Sequence, residues 1–157
     1  MKKTLRCCFS GHNEIYDNEV KIKIKNIADR LITEHNVSEF WVGNYGSFDN
    51  CAGQAIRELK KIYSHIELDI VIPYLTKSIT DYRSLYYENF DNILIADIPI
   101  NTPKKFCIIK ANEYMVDNSD FMICYVEQMW GGAIKTFNYA KRKKIQVINI
   151  ASNPINL

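Results

Sequence analysis

Two adjacent glycines, Gly131 and Gly132, separate an apolar run from a helical pattern near the end of the chain. The apolar run, residues 121–126, has the length and composition of a buried strand. Glycine lets backbone N–H groups approach an anion, and the N-terminus of a helix carries partial positive charge. We therefore expect this loop, with the side chains of Lys135 and Thr136, to hold a phosphate group. A simple tight turn between strand and helix explains the two glycines equally well.

A second polar loop follows the first apolar run, residues 4–9. It consists of Ser10, Gly11, His12 and Asn13. Ligands of open parallel sheets bind at the carboxyl ends of the strands, so we expect these four residues to contact the ligand. His12 is a candidate general acid or base, because the reference pKa of histidine is about 6.5. The alternative is a plain turn in which a nearby Asn or Asp caps the next helix.

A third loop follows the strand predicted at residues 39–42 and contains Gly43, Gly46 and Asp49. Asp49 has two interpretations. It is either the N-cap of the following helix, which the spacing slightly favours, or an acceptor for a ribose hydroxyl. Because a carboxylate repels phosphate, a sugar or a base is its expected target. Asp49 and His12 are the two candidate catalytic residues of the predicted pocket.

Apolar runs of strand length alternate with helical patterns along the chain. The strands are predicted at residues 4–9, 39–42, 67–72, 91–97, 121–126 and 145–150, and the helices at 19–35, 52–62, 81–87, 102–117 and from 136 onward. This alternation predicts an α/β domain with a mostly parallel sheet and right-handed crossovers. The three glycine-containing loops each follow a strand, so they can meet at one edge of the sheet. Their convergence favours a nucleotide-type pocket.

The composition narrows the protein class. With 157 residues, 47% hydrophobic and 24% charged, the chain suits one globular domain over residues 1–157. A net charge of +2 argues against nucleic acid or an acidic membrane as partner. No run of about 18 apolar residues indicates a membrane span, and the N-terminus does not resemble a signal peptide, so we expect a cytoplasmic protein. The five cysteines show no CxxC spacing, and we expect neither a metal site nor a cofactor.

Four stretches resemble the SLOG superfamily, the Rossmann-like group that contains the DprA/Smf and Lonely Guy proteins. They are CCFSGHN, VGNYGSFD, EYMVDNSD and WGGAIKTFNYAKRKKIQVINI, and they occur in the family's order over nearly the whole chain. The small single-domain YpsA-like branch is the most similar. The resemblance implies a Rossmann-like three-layer fold with helices on both faces of the sheet. It also implies a nucleotide or nucleotide-derived ligand, with its phosphate at Gly131 and Gly132.

The resemblance leaves three functions open. The leading hypothesis is a cytoplasmic nucleotide-binding protein, and a sensor module that binds its ligand without turnover is one form of it. The first alternative is an N-glycosidase acting on nucleoside 5′-monophosphates, although Tyr139 stands about where such relatives use a glutamate. The second alternative is a module that binds single-stranded DNA, supported by the basic residues 141–144. Relatives often pair as dimers, and Trp41 and Trp130 could contribute to such an interface.

Overall fold

The computed structural model describes residues 4–154. The basic start of the chain, residues 1–3, and the end of the predicted polar tail, residues 155–157, lie outside the described residues. The strands are β1 (Leu5–Gly11), β2 (Val37–Val42), β3 (Glu67–Ile72), β4 (Asn92–Ile95), β5 (Phe121–Tyr125) and β6 (Gln146–Asn149). The helices are α1 (Val20–His35), α2 (Ser47–Lys60), α3 (Lys77–Asp81), α4 (Arg83–Asn89), α5 (Lys104–Asp117) and α6 (Gly132–Lys143).

The six strands form one sheet in the order β4-β3-β2-β1-β5-β6, and every neighbouring pair is parallel. The central strand β1 pairs with β2 on one side, where Cys8 faces Trp41, and with β5 on the other, where Phe9 faces Ile123. Parallel sheets need both faces covered, which explains the nearly continuous apolar character of the central strands. The predicted α/β three-layer fold with helices on both faces is confirmed.

Alternate residues of the central strands pack into two separate cores. On one face, Phe9 and Phe40 stack with ring centroids 6.2 Å apart and pack beneath α1 and α2. On the opposite face, Trp41 and Met122 pack beneath α5 and α6. Because both cores are buried, the sheet is fixed on two sides, and the loops at its carboxyl edge start from a rigid base.

Several element boundaries differ from the sequence-based predictions. Helix α6 begins at Gly132, so Thr136 lies one turn inside it rather than at its start. Two short helices, α3 and α4, meet at Tyr82 where one helix was predicted. The helix predicted to begin at Thr102 begins at Lys104, because the Thr102 hydroxyl donates to the carbonyl oxygen of Pro99 at 2.6 Å and Pro103 occupies the cap position. The local hydrogen bond of the Thr102 hydroxyl thus contributes to the last of these differences.

Candidate functional site

The chain changes direction across the sheet between β1 and β5. From β1 it proceeds outward through β2, β3 and β4, and then returns to β5 on the other side of β1. In open α/β sheets this arrangement leaves a crevice at the carboxyl edge, where ligands bind. A cleft of about 630 Å³ lies there. It is lined by Ser10, Gly11, His12, Asn13, Glu14, Tyr45, Gly46, Asp49, Ile108, Ile109, Asn112, Gln128, Trp130, Gly131, Gly132 and Ala133.

The loop after β1 forms the floor of the cleft and is held from both sides. On the β2 side, the Ser47 N–H donates to the carbonyl oxygen of Asn13 at 2.7 Å. On the β5 side, the Glu127 N–H donates to Nε2 of His12 at 2.9 Å. Gly46 permits the first contact, because a Cβ there would lie 2.5 Å from the Cα of Asn13. Gly46 also has φ 115°, a conformation that essentially only glycine adopts.

His12 is in the cleft as a neutral hydrogen-bond donor. Its Nε2 accepts the Glu127 N–H, so the ring proton of the neutral imidazole is on Nδ1. Burial lowers the pKa of His12, although the nearby Glu127 carboxylate raises it. The ring also lies edge-on to Tyr125, with centroids 6.1 Å apart. With its only lone pair occupied, His12 can donate to a ligand but does not serve as a base in this arrangement.

Asp49 lies in the first turn of α2 and is not its N-cap. Gly46 occupies the cap position, so the N-cap interpretation of Asp49 is wrong. Its Oδ2 instead accepts the Tyr45 N–H at 2.9 Å and closes the loop that precedes the helix. Burial raises the pKa of Asp49 to about 6, and the Tyr45 N–H opposes this shift. Asp49 therefore places a carboxyl that titrates close to neutral pH in the wall of the cleft.

The N-terminus of α6 opens into the cleft at Gly131 and Gly132. Gly131 has φ 91°, and a Cβ on either glycine would meet no atom within 4 Å. No side chain of the described residues caps this helix. Its first N–H groups, which carry partial positive charge, therefore have no side-chain cap among the described residues, and Gly131, Gly132 and Ala133 line the cleft. This is the geometry of a phosphate site at a helix N-terminus.

Three of the predicted ligand-binding residues do not line the cleft. Thr136 is 2% exposed, and its hydroxyl donates to the carbonyl oxygen of Gly132 at 3.2 Å, one turn earlier in α6. Lys135 is exposed on α6 but does not contribute to the lining. Gly43 lies behind Asp49, where a Cβ would be 2.9 Å from Oδ2. Thr136 and Lys135 lie outside the lining because the helix begins four residues earlier than predicted.

The cleft contains residues that the sequence analysis missed. They are Glu14, Tyr45, Ile108, Ile109, Asn112, Gln128, Trp130 and Ala133. Trp130 is 69% exposed and directly precedes Gly131, so its position beside a predicted anion loop was a usable signal. Ile108, Ile109 and Asn112 come from α5, whose apolar residues do not form one clear stripe. A helix apolar on several faces gives no sequence signal for the face that borders a cleft.

The lining carries negative side chains and no positive ones. Among the residues that line the cleft there are two carboxyl groups, on Glu14 and Asp49, and neither lysine nor arginine. The attraction for an anion therefore comes from backbone N–H groups at the N-terminus of α6 and is confined to that end. Charge thus divides the cleft into an end with partial positive charge, at the N-terminus of α6, and an end with carboxyl groups.

The described part of the chain offers little for metal or thiol chemistry. Within residues 4–154 no group of three or more His, Cys, Asp or Glu side chains is placed to hold a metal ion. All five cysteines are free thiols, and burial raises the pKa of Cys8 to about 12. No helix in this part of the chain has the length and apolar character needed to cross a membrane.

No protein-family model matches the chain. A similar curated protein is the uncharacterized SPbeta prophage-derived protein YoqJ of Bacillus subtilis (strain 168). It is 24% identical over 139 residues, which cover 79% of this chain and 81% of that protein. The aligned region thus covers most of both chains.

Solved structures of DNA processing protein A (DprA) share the fold. DprA from Streptococcus pneumoniae has a TM-score of 0.66 at 16% identity, covering 92% of this chain and 49% of that one. DprA from Helicobacter pylori, described for its single-stranded DNA binding mode, has a TM-score of 0.62 at 15% identity, covering 91% and 63%. This chain thus has a DprA-like Rossmann fold and spans about half the length of the S. pneumoniae protein.

A third structure with this fold is the Chlamydomonas rheinhardtii Moco carrier protein. Its TM-score is 0.55 at 12% identity, and the match covers 96% of this chain and 79% of that one. The same fold therefore occurs in proteins described for DNA binding and for carrying a small molecule. The side chains that line the cleft, rather than the fold, must decide between these roles for this protein.

Proposed function

We propose that this chain is a SLOG-type protein that binds a nucleotide or a nucleotide derivative in the cleft between β1 and β5. The observation that carries the proposal is the uncapped N-terminus of α6, whose residues Gly131 and Gly132 line a cleft of about 630 Å³. That volume suits a nucleotide-sized ligand. The phosphate would lie on the N-terminus of α6, and the likeness to a carrier of a small molecule supports this type of ligand.

The remaining walls of the cleft suit a nucleoside. Trp130 offers an exposed ring on which a base can stack, and Ile108 adds apolar surface. Asn112 and Gln128 provide amide donors and acceptors for the edge of a base. Asp49 would accept a hydrogen bond from a sugar hydroxyl or an exocyclic amine. We propose a single domain over residues 1–157, located in the cytoplasm, in the YpsA-like branch of the superfamily.

Turnover as an N-glycosidase is the second candidate, and one observation favours it. Asp49 lies in the cleft with its pKa raised to about 6, which suits a carboxyl that protonates a leaving base near neutral pH. Against turnover, the Tyr139 hydroxyl donates to Oδ1 of Asp117 at 2.8 Å, and Tyr139 does not line the cleft. At the position of Tyr139, this chain therefore has no group that could replace the glutamate of the phosphoribohydrolase relatives. Binding without turnover remains our first choice.

Single-stranded DNA is a weaker candidate as partner. The basic residues 141–144 end α6, at the opposite end of the helix from Gly131 and Gly132. Among them, Lys143 has its Nζ 3.6 Å from Oδ1 of Asp117. Cations at a helix C-terminus are also favourable for the helix itself. DNA bound to these residues would therefore lie away from the cleft.

The proposal is tested by calorimetric titration and by thermal unfolding with nucleoside mono-, di- and triphosphates, followed by chromatography for released base. A ligand at about 100 times its Kd should add roughly 2.7 kcal/mol of stability. For a chain of this size the gain corresponds to an increase in Tm of roughly 5–11 °C. Released base would select the glycosidase, and Asp49→Asn should then abolish it. If no nucleotide binds, the cleft proposal is wrong.

Two variants locate the ligand. Gly132→Leu puts a side chain into open space at the N-terminus of α6 and should weaken nucleotide binding at least about tenfold by excluding the phosphate. Lys135→Ala, three residues along the same helix, is the matched control and should leave the Kd within about twofold. An unchanged Kd for Gly132→Leu would place the phosphate elsewhere.

A further inference from the structure

A smaller pocket adjoins the cleft and is lined by the cationic side chain of Arg57, whereas neither lysine nor arginine lines the cleft. Its volume is about 60 Å³, and it is bordered by Gly43, Asn44, Asn50, Gly53, Arg57 and Phe90, together with the cleft residues Gly46 and Asp49. We call it the Arg57 pocket. Since one water occupies roughly 30 Å³ in the liquid, this space suits a group of a few heavy atoms, not a nucleoside.

The Arg57 guanidinium is half-buried and has no carboxylate partner among the described residues. Within residues 4–154 it donates one hydrogen bond, a long one of 3.4 Å from Nη1 to the carbonyl oxygen of Asn89. The group lies 5.5 Å from the ring centroid of Phe90. Burial lowers the pKa of Arg57, and no acidic side chain of the described residues offsets this shift. A cation partly removed from water, with one hydrogen bond to the described protein from its five N–H donors, favours a bound oxyanion.

The surroundings also provide space and neutral donors. Gly53 leaves room for the guanidinium, because a Cβ there would lie 3.2 Å from Nη1. The amides of Asn44 and Asn50 border the pocket, and the Asn44 amide donates to the Tyr86 hydroxyl at 3.3 Å. The one acid in the wall, Asp49, accepts the Tyr45 N–H, which offsets part of its charge.

We propose that the Arg57 pocket binds a phosphate group through the Arg57 guanidinium and the adjacent amides. Planar guanidinium groups bind phosphate through two parallel hydrogen bonds, which lysine cannot do. The phosphate has two possible sources. It is either free inorganic phosphate or a second phosphate of the ligand in the cleft, since the two cavities share Gly46 and Asp49. The first source is independent of the proposed function, and the second rests on it.

The experiment is an NMR titration of the intact chain with sodium phosphate at constant ionic strength, following the Nε–Hε signal of Arg57. We expect a saturable shift of that signal. Arg57→Gln should weaken phosphate binding at least about tenfold, because it removes a charge-assisted hydrogen bond. Arg30→Gln is the matched control on the exposed face of α1 and should leave the affinity unchanged.

A further variant separates binding from folding. Gly53→Ala should raise Tm, because alanine favours the interior of a helix over glycine. It should nevertheless weaken phosphate binding severalfold, because the new Cβ displaces the guanidinium. A purely structural role for Arg57 would not combine higher stability with weaker binding.

Adenosine 5′-monophosphate and adenosine 3′,5′-bisphosphate identify the source of the phosphate. If the second phosphate adds at least about tenfold in affinity to the wild type but not to Arg57→Gln, the pocket belongs to the ligand in the cleft. If only sodium phosphate shifts the Arg57 signal, the pocket binds free phosphate. If no compound shifts it, the Arg57 proposal is overturned. The amide signals of Gly131 and Gly132 report separately on the cleft, so either proposal can fail alone.

Discussion

Substituting Gly46 by alanine tests the close contact that positions the floor of the cleft. The backbone of Gly46 has φ 115° and ψ −170°, a region that costs other residues about 1–3 kcal/mol. The added Cβ would lie 2.5 Å from the Cα and 2.7 Å from the carbonyl oxygen of Asn13. These are backbone atoms that cannot rotate away, and overpacking of this kind costs about 1–3 kcal/mol. We expect Gly46→Ala to lower the free energy of unfolding by about 4 kcal/mol, the sum of the two central values.

Two other glycines separate the backbone cost from the clash. Gly131 has φ 91°, but a Cβ added there would meet no atom within 4 Å, so Gly131→Ala should lose about 1–3 kcal/mol from the backbone alone. Gly132 has neither a positive φ nor a close neighbour, and Gly132→Ala should change stability by less than about 0.5 kcal/mol. The predicted order of destabilisation is therefore Gly46, Gly131, Gly132.

Urea denaturation measures all three variants, with a shifted midpoint and an unchanged m-value as the sign of a pure stability effect. A loss of about 4 kcal/mol corresponds to a decrease in Tm of roughly 8–16 °C for a chain of this size. If Gly46→Ala costs no more than Gly131→Ala, the clash contributes nothing. The close approach of Gly46 to Asn13, and with it the described floor of the cleft, would then be refuted.

Two further substitutions test the electrostatics of the fold. The pKa of Asp49 is about 6 in the folded protein against an ordinary value of 3.8, so its contribution to stability falls as the pH rises from about 4 to about 6. Asp49→Asn should remove this fall, so the free energy of unfolding of the variant relative to the wild type should rise by about 1–3 kcal/mol between pH 4 and pH 7, measured by urea denaturation. If this relative free energy of unfolding is the same at both pH values, the raised pKa is contradicted. The Arg6 guanidinium pairs with Glu39 and lies 3.9 Å from the ring centroid of Trp41. Arg6→Met should therefore cost about 2–4 kcal/mol by urea denaturation, and a loss below about 1 kcal/mol would show that the pair contributes little.

The sequence predicted the fold well because its signals are local. Apolar runs of strand length, separated by helical patterns, predict a parallel sheet whatever the details of packing. The positions of Gly131 and Gly132 after β5, and of His12 after β1, follow from the same alternation. Beyond this alternation, only the order of the strands was needed to place these residues close together at the carboxyl edge of the sheet. The handedness of the crossovers restricts that order.

The details of the site depend on individual hydrogen bonds and on packing between elements, and were not predictable in this way. The role of Asp49 is set by the Tyr45 N–H, in the loop that ends at the Gly46 cap of α2. The tautomer of His12 is set by the Glu127 N–H, 115 residues away. The contribution of α5 to the cleft depends on how that helix packs across the sheet. None of these contacts leaves a periodic pattern in the sequence.

The two hydrogen bonds that hold the loop after β1 affect the thermodynamics of association. Fixing the backbone of a free loop costs roughly 1–2 kcal/mol per residue, and a ligand that orders its own site must overcome this cost. Here Ser47 and Glu127 already hold Asn13 and His12 in place, so the floor of the cleft is preorganised. The conformational entropy lost when a ligand binds then comes mainly from the segment containing Met129 and Trp130, which are both largely exposed. Ligands of equal size should therefore differ in affinity according to how far they order that one segment.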